Sequence, residues 1–235
     1  SSVVSILLLL ASRPDVVIVS VPPGDFGVGA LITCKLLRAK YVVDYRDEWE
    51  DYAIKLTDHK MEKLFYSATK KLATYLYVES RFVVALTLNL MKALRHRGIS
   101  NVELLPNGAD VKTFKPLSIK KKGFKIFYSG GVGGYYRLDT TMKSMRKLVD
   151  RKLKDLSLII AGSGEIKETL DLAAKLGILE SMKYVGTIND KMKLAQLLAE
   201  ADVGLIPYDD NPLWKNSLPA KFFEYCACGI PVVAT

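Results

Sequence analysis

Cysteine, histidine and long apolar runs are scarce in this 235-residue sequence. Three cysteines, Cys34, Cys226 and Cys228, form neither a disulfide framework nor the four-ligand set of a structural zinc site. The two histidines lie in lysine- and arginine-rich stretches, which favours solvated roles. The apolar run at residues 6–11 is shorter than the roughly 20 residues of a membrane-spanning helix, and no basic segment precedes it. These absences predict a cytoplasmic protein in a reducing compartment.

The rest of the composition is that of an ordinary globular protein, with 49% hydrophobic and 25% charged residues. The formal net charge of +9 lies mainly in residues 1–122. Such an excess favours anionic partners, namely nucleotide phosphates, anionic lipid or nucleic acid, although a solvated lysine surface explains the same charge. The sequence contains no recognised nucleic-acid-binding module, so nucleic acid is not an expected partner.

Short apolar runs alternate with helical patterns along the chain. Runs bounded by glycine or proline predict buried strands at residues 15–21, 40–44, 102–105, 125–128, 156–161, 183–185, 202–206 and 231–234. Helical patterns between the strands indicate right-handed βαβ units and parallel sheets. The hydrophilic stretch 112–122 separates two such series. The sequence therefore predicts an α/β protein with two Rossmann-like domains, at residues 1–115 and 116–235.

The helical pattern at residues 58–77 has an apolar stripe, with lysines on its other faces. The stripe comprises Met61, Leu64, Phe65, Ala68, Leu72 and Leu76. One interpretation is a helix that packs on its sheet. The other is a basic, aromatic face that lies on an anionic membrane surface, which would place the protein peripherally at the inner face of the plasma membrane.

Two glycine-containing loops follow predicted strands, where doubly wound sheets bind their ligands. Their glycines are Gly130, Gly131, Gly133, Gly134, Gly162 and Gly164. Backbone without Cβ atoms can approach a phosphate closely, and the nearby Arg137 can add a bidentate contact. The spacing fits neither a Walker A loop nor a dinucleotide fingerprint, so plain turns are the alternative interpretation.

The segment at residues 216–233 predicts a helix with a polar start. Pro219 begins this helix and Gly229 ends it, so Lys221 and Glu224 share a face near its first turn. A lysine beside unpaired backbone N–H groups suits a diphosphate, and a carboxylate one turn further on can accept hydrogen bonds from ribose hydroxyls. A surface ion pair is the alternative interpretation.

Four segments together resemble the donor site of GT-B glycosyltransferases of family 4. They are residues 106–110, 162–164, 201–207 and 219–234, in the order and spacing of that family. The resemblance implies two doubly wound Rossmann-like domains that face a cleft, both incomplete in this chain. It also implies a retaining hexosyltransferase that moves sugar from a nucleotide-diphosphate sugar to a glycan or lipid-linked acceptor. No cofactor is implied, and no metal, because Asp209 and Asp210 lack Asp-x-Asp spacing.

The same resemblance assigns donor-binding residues near the end of the chain. Glu224 matches the glutamate that holds the ribose, and Lys221 matches the basic residue that faces the diphosphate. Leu218 belongs to the same signature. Asn216 stands where the family usually has a sugar-binding glutamate, which leaves the identity of the donor open.

The glycine loop departs from the family pattern. Many members have an arginine and a lysine where this chain has Gly131 and Tyr136. Arg137 takes over their role in this interpretation, so Lys221 and Arg137 are the candidate catalytic residues.

Pro22, Pro23, Arg46, Asp47 and Trp49 resemble a branch of the family that makes surface polysaccharides of the cell envelope. Together with Asn107, from the segment 106–110, they are the acceptor-side candidates. A loop with a buried Arg–Asp pair is the alternative interpretation for part of this set. Two other functions also stay open for the whole chain: a non-catalytic scaffold or partner subunit, and a sugar-nucleotide epimerase of the same fold. As an apparent fragment, the chain is expected to be inactive or unstable alone.

Overall fold

A computed structural model describes residues 2–21, 25–133, 136–153, 155–209, 214 and 216–235. The chain forms two compact units, one of residues 1–106 and 212–218, the other of residues 107–211 and 219–235. Residues 107–115, which the sequence assigned to the first domain, thus lie in the second unit. There Phe114 is fully buried in the same apolar cluster as Phe127 and Tyr225.

The first unit is a parallel four-stranded sheet with helices. Its strands are β1 (Val16–Val21), β2 (Lys40–Tyr45), β3 (Phe82–Ala85) and β4 (Val102–Leu104), in the order β1-β2-β3-β4. Its helices are α1 (Ser2–Ser12), α2 (Asp25–Leu36), α3 (Trp49–Leu56), α4 (Lys60–Val78) and α5 (Leu88–His96). Strand β3 was not predicted, because it is a short apolar run with no glycine or proline beside it.

The second unit is a parallel five-stranded sheet whose strand order reverses. Its strands are β5 (Phe124–Ser129), β6 (Leu156–Ala161), β7 (Met182–Tyr184), β8 (Val203–Ile206) and β9 (Val232–Ala234), in the order β7-β6-β5-β8-β9. Its helices are α6 (Leu138–Asp150), α7 (Lys167–Lys175), α8 (Lys191–Ala199) and α9 (Ala220–Ala227), with a 3₁₀ turn at Leu179–Ser181. The switch point between β5 and β8 is where such sheets bind ligands. The α/β class with two parallel sheets is confirmed.

Helix α4 turns a different face to the core from the one that its apolar stripe predicts. Its buried residues are Ala73, Leu76 and Tyr77. Five of the six stripe residues are exposed: Met61, Leu64, Phe65, Ala68 and Leu72. The periodicity predicted the helix correctly and its buried face incorrectly, because apolar spacing does not say which stripe meets the sheet.

Helix ends follow local chemistry. Helix α8 is capped by Asp190, whose Oδ1 accepts hydrogen bonds from the backbone N–H of Met192 (2.8 Å) and Lys193 (3.4 Å). Helix α9 begins after Pro219 and is followed by Gly229 at φ +73°, as predicted. Among the described residues, no helix combines the length and the apolar character that crossing a membrane requires.

Candidate functional site

A cavity of about 440 Å³ lies at the carboxyl-terminal edge of the second unit's sheet. It is lined by residues 129–131 after β5, 161–163 after β6, 187–188 after β7, Leu194 of α8, and 219–221 and 224 of α9. This volume falls in the range of small-molecule sites, about 300–1,000 Å³. The cavity therefore combines a topological switch point with the start of a helix.

Backbone contacts between loops form one wall of the cavity. The N–H of Gly130 donates to the carbonyl of Ala161 (2.9 Å), and the N–H of Gly162 donates to the carbonyl of Gly186 (2.9 Å). Gly162 has φ +154°, and a Cβ atom there would overlap the carbonyl of Gly130. The two loops can approach this closely only because position 162 has no side chain.

Buried tyrosines fix the loop after β5. The phenol oxygen of Tyr225, on α9, accepts a hydrogen bond from the N–H of Ser129 (2.9 Å). Tyr128 donates its hydroxyl hydrogen to the carbonyl of Gly131 (2.5 Å). These side chains hold the glycine loop against the helix that carries Lys221.

Lys221 lies in the first turn of α9 and is surrounded by aromatic rings. Its Nζ is 4.4 Å from the ring centre of Tyr128, 5.4 Å from that of Tyr208 and 6.0 Å from that of Tyr136. Burial lowers the pKa of Lys221 to about 8, against an opposing effect of Glu224. In the described part of the chain, no carboxylate forms an ion pair with this ammonium, so its charge is available to an anionic ligand.

Glu224 follows one turn later on the same cavity wall. Burial raises the pKa of its carboxyl group, and the positive charges of Lys191 and Lys221 oppose that rise. The predicted pairing of a cation and a carboxylate on one helix face is therefore present, without a direct ion pair between them.

Part of the cavity lining lies away from the glycine loops and the 219–234 segment that the sequence points to. Thr187, Ile188 and Leu194 are such residues. Thr187 and Ile188 follow Gly186 directly, so the strand-then-glycine pattern of β7 was a usable signal. Leu194 lies inside α8, and only the tertiary arrangement places it here.

Arg137 lies elsewhere on the second unit. It precedes α6 with φ +45°, and its guanidinium contacts carboxylate oxygens of Asp139 (3.1 Å) and Asp209 (2.7 Å). It lines a separate cavity of about 260 Å³, together with Gly133 and Glu165. Its predicted role beside the diphosphate remains a prediction.

Gly131 and Tyr136 depart from the family pattern as a pair. A Cβ atom at Gly131 would overlap the ring of Tyr136. A side chain at position 131 therefore requires the ring at position 136 to move, so the absence of the usual arginine and the presence of a tyrosine are physically linked.

Some predicted residues lie outside the described part of the chain or outside the cavity lining. Pro22, Pro23 and Gly134 lie outside the described residues, and so does the side chain of Trp49. Gly164 lies just beyond the cavity, in a bridge with Val132.

The predicted acceptor-side loop follows β2 in the first unit. Arg46 pairs with Asp44 (3.4 Å), and burial raises the pKa of Asp47 while Arg46 opposes the rise. The segment 212–218 belongs to this unit. The side-chain amide of Asn216 donates to Glu48 Oε2 (2.5 Å), and the backbone carbonyl of Asn216 accepts from Thr87 Oγ1 (2.9 Å). Two predicted donor-binding residues, Asn216 and Leu218, are therefore in the first unit, whereas Asn107 is in the second.

A buried polar cluster supports that loop. Glu50, at the start of α3 and only 7% exposed, accepts hydrogen bonds from the hydroxyls of Tyr45 (2.8 Å) and Tyr77 (3.1 Å). Arg97 lies 3.5 Å from the same carboxylate and donates to Tyr45 (3.1 Å) and Thr74 (2.7 Å). The cluster joins the end of β2 to α3, α4 and the end of α5.

Comparison with known proteins gives relatives for both the sequence and the fold. A GDP-mannose-dependent alpha-(1-6)-phosphatidylinositol dimannoside mannosyltransferase from Mycobacterium tuberculosis is 28% identical over an alignment of 147 residues that covers 59% of this chain. The match covers 36% of that relative, so the chain aligns with only about a third of its length.

Solved structures share the fold over the whole chain. Anabaena HepE, in complex with UDP and glucose, has a TM-score of 0.74 at 15% identity over 100% of this chain and 62% of its own. A glycosyltransferase from Rickettsia africae has a TM-score of 0.70 at 13% identity, over 99% and 60%. These likenesses confirm the predicted GT-B class of fold.

The family model for glycosyl transferases group 1 matches residues 110–235. The match begins just before the second unit's sheet and includes all the residues that line the cavity at the switch point. Because it spans more than half of the sequence, this chain belongs to the glycosyl transferases group 1 family.

Proposed function

We propose that the chain belongs to a retaining hexosyltransferase that uses a nucleotide-diphosphate sugar. The supporting observation is the position of Lys221, whose ammonium lies beside the glycine loop without a carboxylate partner among the described residues. The mycobacterial relative uses GDP-mannose, and HepE binds UDP with glucose, so a nucleotide sugar is the matching class of donor. The acceptor in this proposal is a glycan or a lipid-linked sugar of the cell envelope.

In this proposal the diphosphate lies between the glycine loop and the start of α9. Backbone N–H groups in the first turn of a helix lack intrahelical carbonyl partners and can donate to phosphate oxygens. Lys221 stabilises the negative charge that develops on the diphosphate as the bond to the sugar breaks. Glu224 accepts hydrogen bonds from the ribose hydroxyls.

Retention follows if the acceptor attacks the face that the diphosphate leaves. The acceptor oxygen bonds to the anomeric carbon, the carbon–oxygen bond to the diphosphate breaks, and a departing phosphate oxygen takes the acceptor's proton. No protein nucleophile is needed. We propose that no obligate metal takes part, because Lys221 and the backbone dipoles supply the positive potential.

Titration with UDP and GDP tests this proposal. We expect one of them to bind the wild-type chain, with the same affinity after EDTA treatment. Lys221→Met removes the charge at similar volume and should abolish binding, whereas Lys193→Ala, an exposed lysine on α8, should not change it. Binding of neither nucleotide, or equal binding by Lys221→Met, would contradict the proposal.

A non-catalytic scaffold is the second candidate function. Gly131 and Tyr136 together remove two cations that many members place beside the diphosphate, which favours binding without turnover. A chain that binds nucleotide but neither hydrolyses nor transfers sugar from UDP- and GDP-sugars would have this second function.

We also propose that α4 lies on an anionic membrane surface. Met61, Leu64 and Phe65 are 77%, 65% and 57% exposed, and lysines at positions 60, 63 and 71 share the helix surface. Exposed apolar side chains can insert between lipids while lysines attract anionic headgroups. Flotation with anionic vesicles should fail for Leu64→Ser/Phe65→Ser if this face makes the contact.

A further inference from the structure

The first unit has a positively charged cavity at the amino-terminal edge of its sheet. Its volume is about 400 Å³. Among the described residues, four cationic side chains, those of Lys35, Arg38, Lys40 and Arg81, line it with one carboxylate, Glu79.

Two neighbouring helix-to-strand connections bring these charges together. Arg38 lies in the turn between α2 and β2, and Lys40 begins β2. Arg81 lies between α4 and β3, where its N–H donates to the carbonyl of Tyr41 (2.9 Å). The cavity lies at the start of β2, and the loop that contains Asp47 follows the end of β2. The length of this strand, about 17 Å at 3.3 Å per residue, separates the two.

Internal pairing satisfies only part of this charge. Lys35 Nζ lies 3.1 Å from Glu79 Oε2 and 4.0 Å from the ring centre of Tyr75. With the residues that the structure describes, the side chains of Arg38, Lys40 and Arg81 make no hydrogen bond or ion pair.

Stabilisation of the fold explains these cations incompletely. Lys35 lies in the last turn of α2, where a cation interacts favourably with the helix dipole. Lys40 and Arg81 lie at strand starts, which carry no comparable dipole. Together with Arg38 they line one concave surface, and such a grouping of cations produces a local positive potential that attracts an anion.

We propose that this cavity binds a phosphate-bearing anion, at a site separate from the nucleotide cavity of the second unit. Two arginines supply the planar donor groups that bind phosphate oxygens bidentately, and Lys40 adds a point charge. The volume exceeds the needs of a single phosphate group, so a phosphorylated small molecule or a phospholipid headgroup fits its size.

Inorganic pyrophosphate is the first probe, applied to the full chain with Lys221→Met so that the nucleotide cavity is disabled. We expect binding to persist in this background, to weaken with added salt, and to fall by at least about tenfold on adding Arg38→Gly and Arg81→Gln. Lys120→Gln/Lys122→Gln, which removes two exposed lysines of the second unit, is the matched control and should leave binding unchanged.

Glycine is used at position 38 so that an effect on anion binding can be distinguished from an effect on stability. Arg38 has φ +55°, a conformation that glycine adopts without strain, so Arg38→Gly should not lower the melting temperature. Loss of pyrophosphate binding at an unchanged melting temperature therefore reports the site itself.

Vesicles distinguish the two sources of phosphate. Flotation with phosphatidylcholine vesicles that contain phosphatidic acid is measured in a Leu64→Ser/Phe65→Ser background, so that the α4 face does not contribute. Flotation that is lost in Arg38→Gly/Arg81→Gln would assign a lipid headgroup, whereas pyrophosphate binding without flotation would assign a soluble ligand. Failure of both probes, or binding of both that is equal in wild type and double variant, would overturn the proposal. UDP or GDP binding through Lys221 is a separate result, so the two proposals can fail independently.

Discussion

The polar sites of the two units differ in whether backbone groups or side chains form them. In the second unit, backbone groups and one lysine surround the cavity at the switch point, and side-chain charge is sparse. In the first unit, the loop after β2 rests on a buried cluster of charged and phenolic side chains. A site made of backbone depends on close approach between loops, whereas a site made of side chains depends on each partner in turn.

The largest expected effect belongs to the first unit. Glu50→Ala leaves Arg97 buried without its carboxylate and removes the acceptor for both tyrosine hydroxyls. We expect the free energy of unfolding of this unit to fall by about 3–5 kcal/mol in urea titrations. Glu103→Ala, on the exposed surface of β4, is the control and should change it by less than about 0.5 kcal/mol. A loss below about 1 kcal/mol for Glu50→Ala would show that the cluster contributes little.

A smaller effect is expected at the backbone-built site. Gly162→Ala forces the loops after β5 and β6 apart, at a cost of about 1–3 kcal/mol in thermal or urea unfolding, and should weaken nucleotide binding. Gly108→Ala is matched, because nothing lies within 4 Å of a Cβ atom there and its φ is not positive. Equal stability of the two variants would refute the close approach.

The smallest effect is a pH dependence of nucleotide binding. The pKa of Lys221 is about 8, so its ammonium loses its proton above that pH. Because a diphosphate binds the charged form, UDP or GDP affinity should change little between about pH 7 and 8, where the terminal phosphate is already ionised, and fall by up to about tenfold per pH unit above pH 8. Stability has the opposite sign: the folded pKa lies below the ordinary 10.5, so the unfolded chain binds more protons and stability rises between pH 8 and 10.5.

Arginine at position 221 provides the control for this pH dependence. The guanidinium of Lys221→Arg stays charged throughout, so the fall in affinity above pH 8 should disappear. A pH profile that is identical in wild type and Lys221→Arg would show that another group titrates.

The sequence signals for the second unit's cavity are local, so part of its lining could be predicted. Glycines after β5 and β6 and the Lys221–Glu224 spacing are visible without any tertiary information, and five of the predicted residues line one cavity: Gly130, Gly131, Gly162, Lys221 and Glu224. Leu194 could not be predicted, since only packing of α8 brings it there.

The first unit was less predictable, because its contacts join distant positions. Glu50 and Arg97 come together only because β2, α3, α4 and α5 pack against one another, and no local sequence pattern indicates that they pair. On α4, the apolar stripe indicated a helix, but the sheet contacts Ala73, Leu76 and Tyr77. Asn216 was predicted from the family's motif alone, and the structure places it with Glu48.

The return of residues 212–218 to the first unit has a consequence for biosynthesis. Glu48 and Asn216 are 168 residues apart in the chain, so a ribosome must make nearly the whole of the second unit before the first one gains this contact. During folding from the amino terminus, the first unit therefore cannot be completed before most of the second unit has been synthesised. Cutting the gene at a single position between the units would separate Asn216 from Glu48.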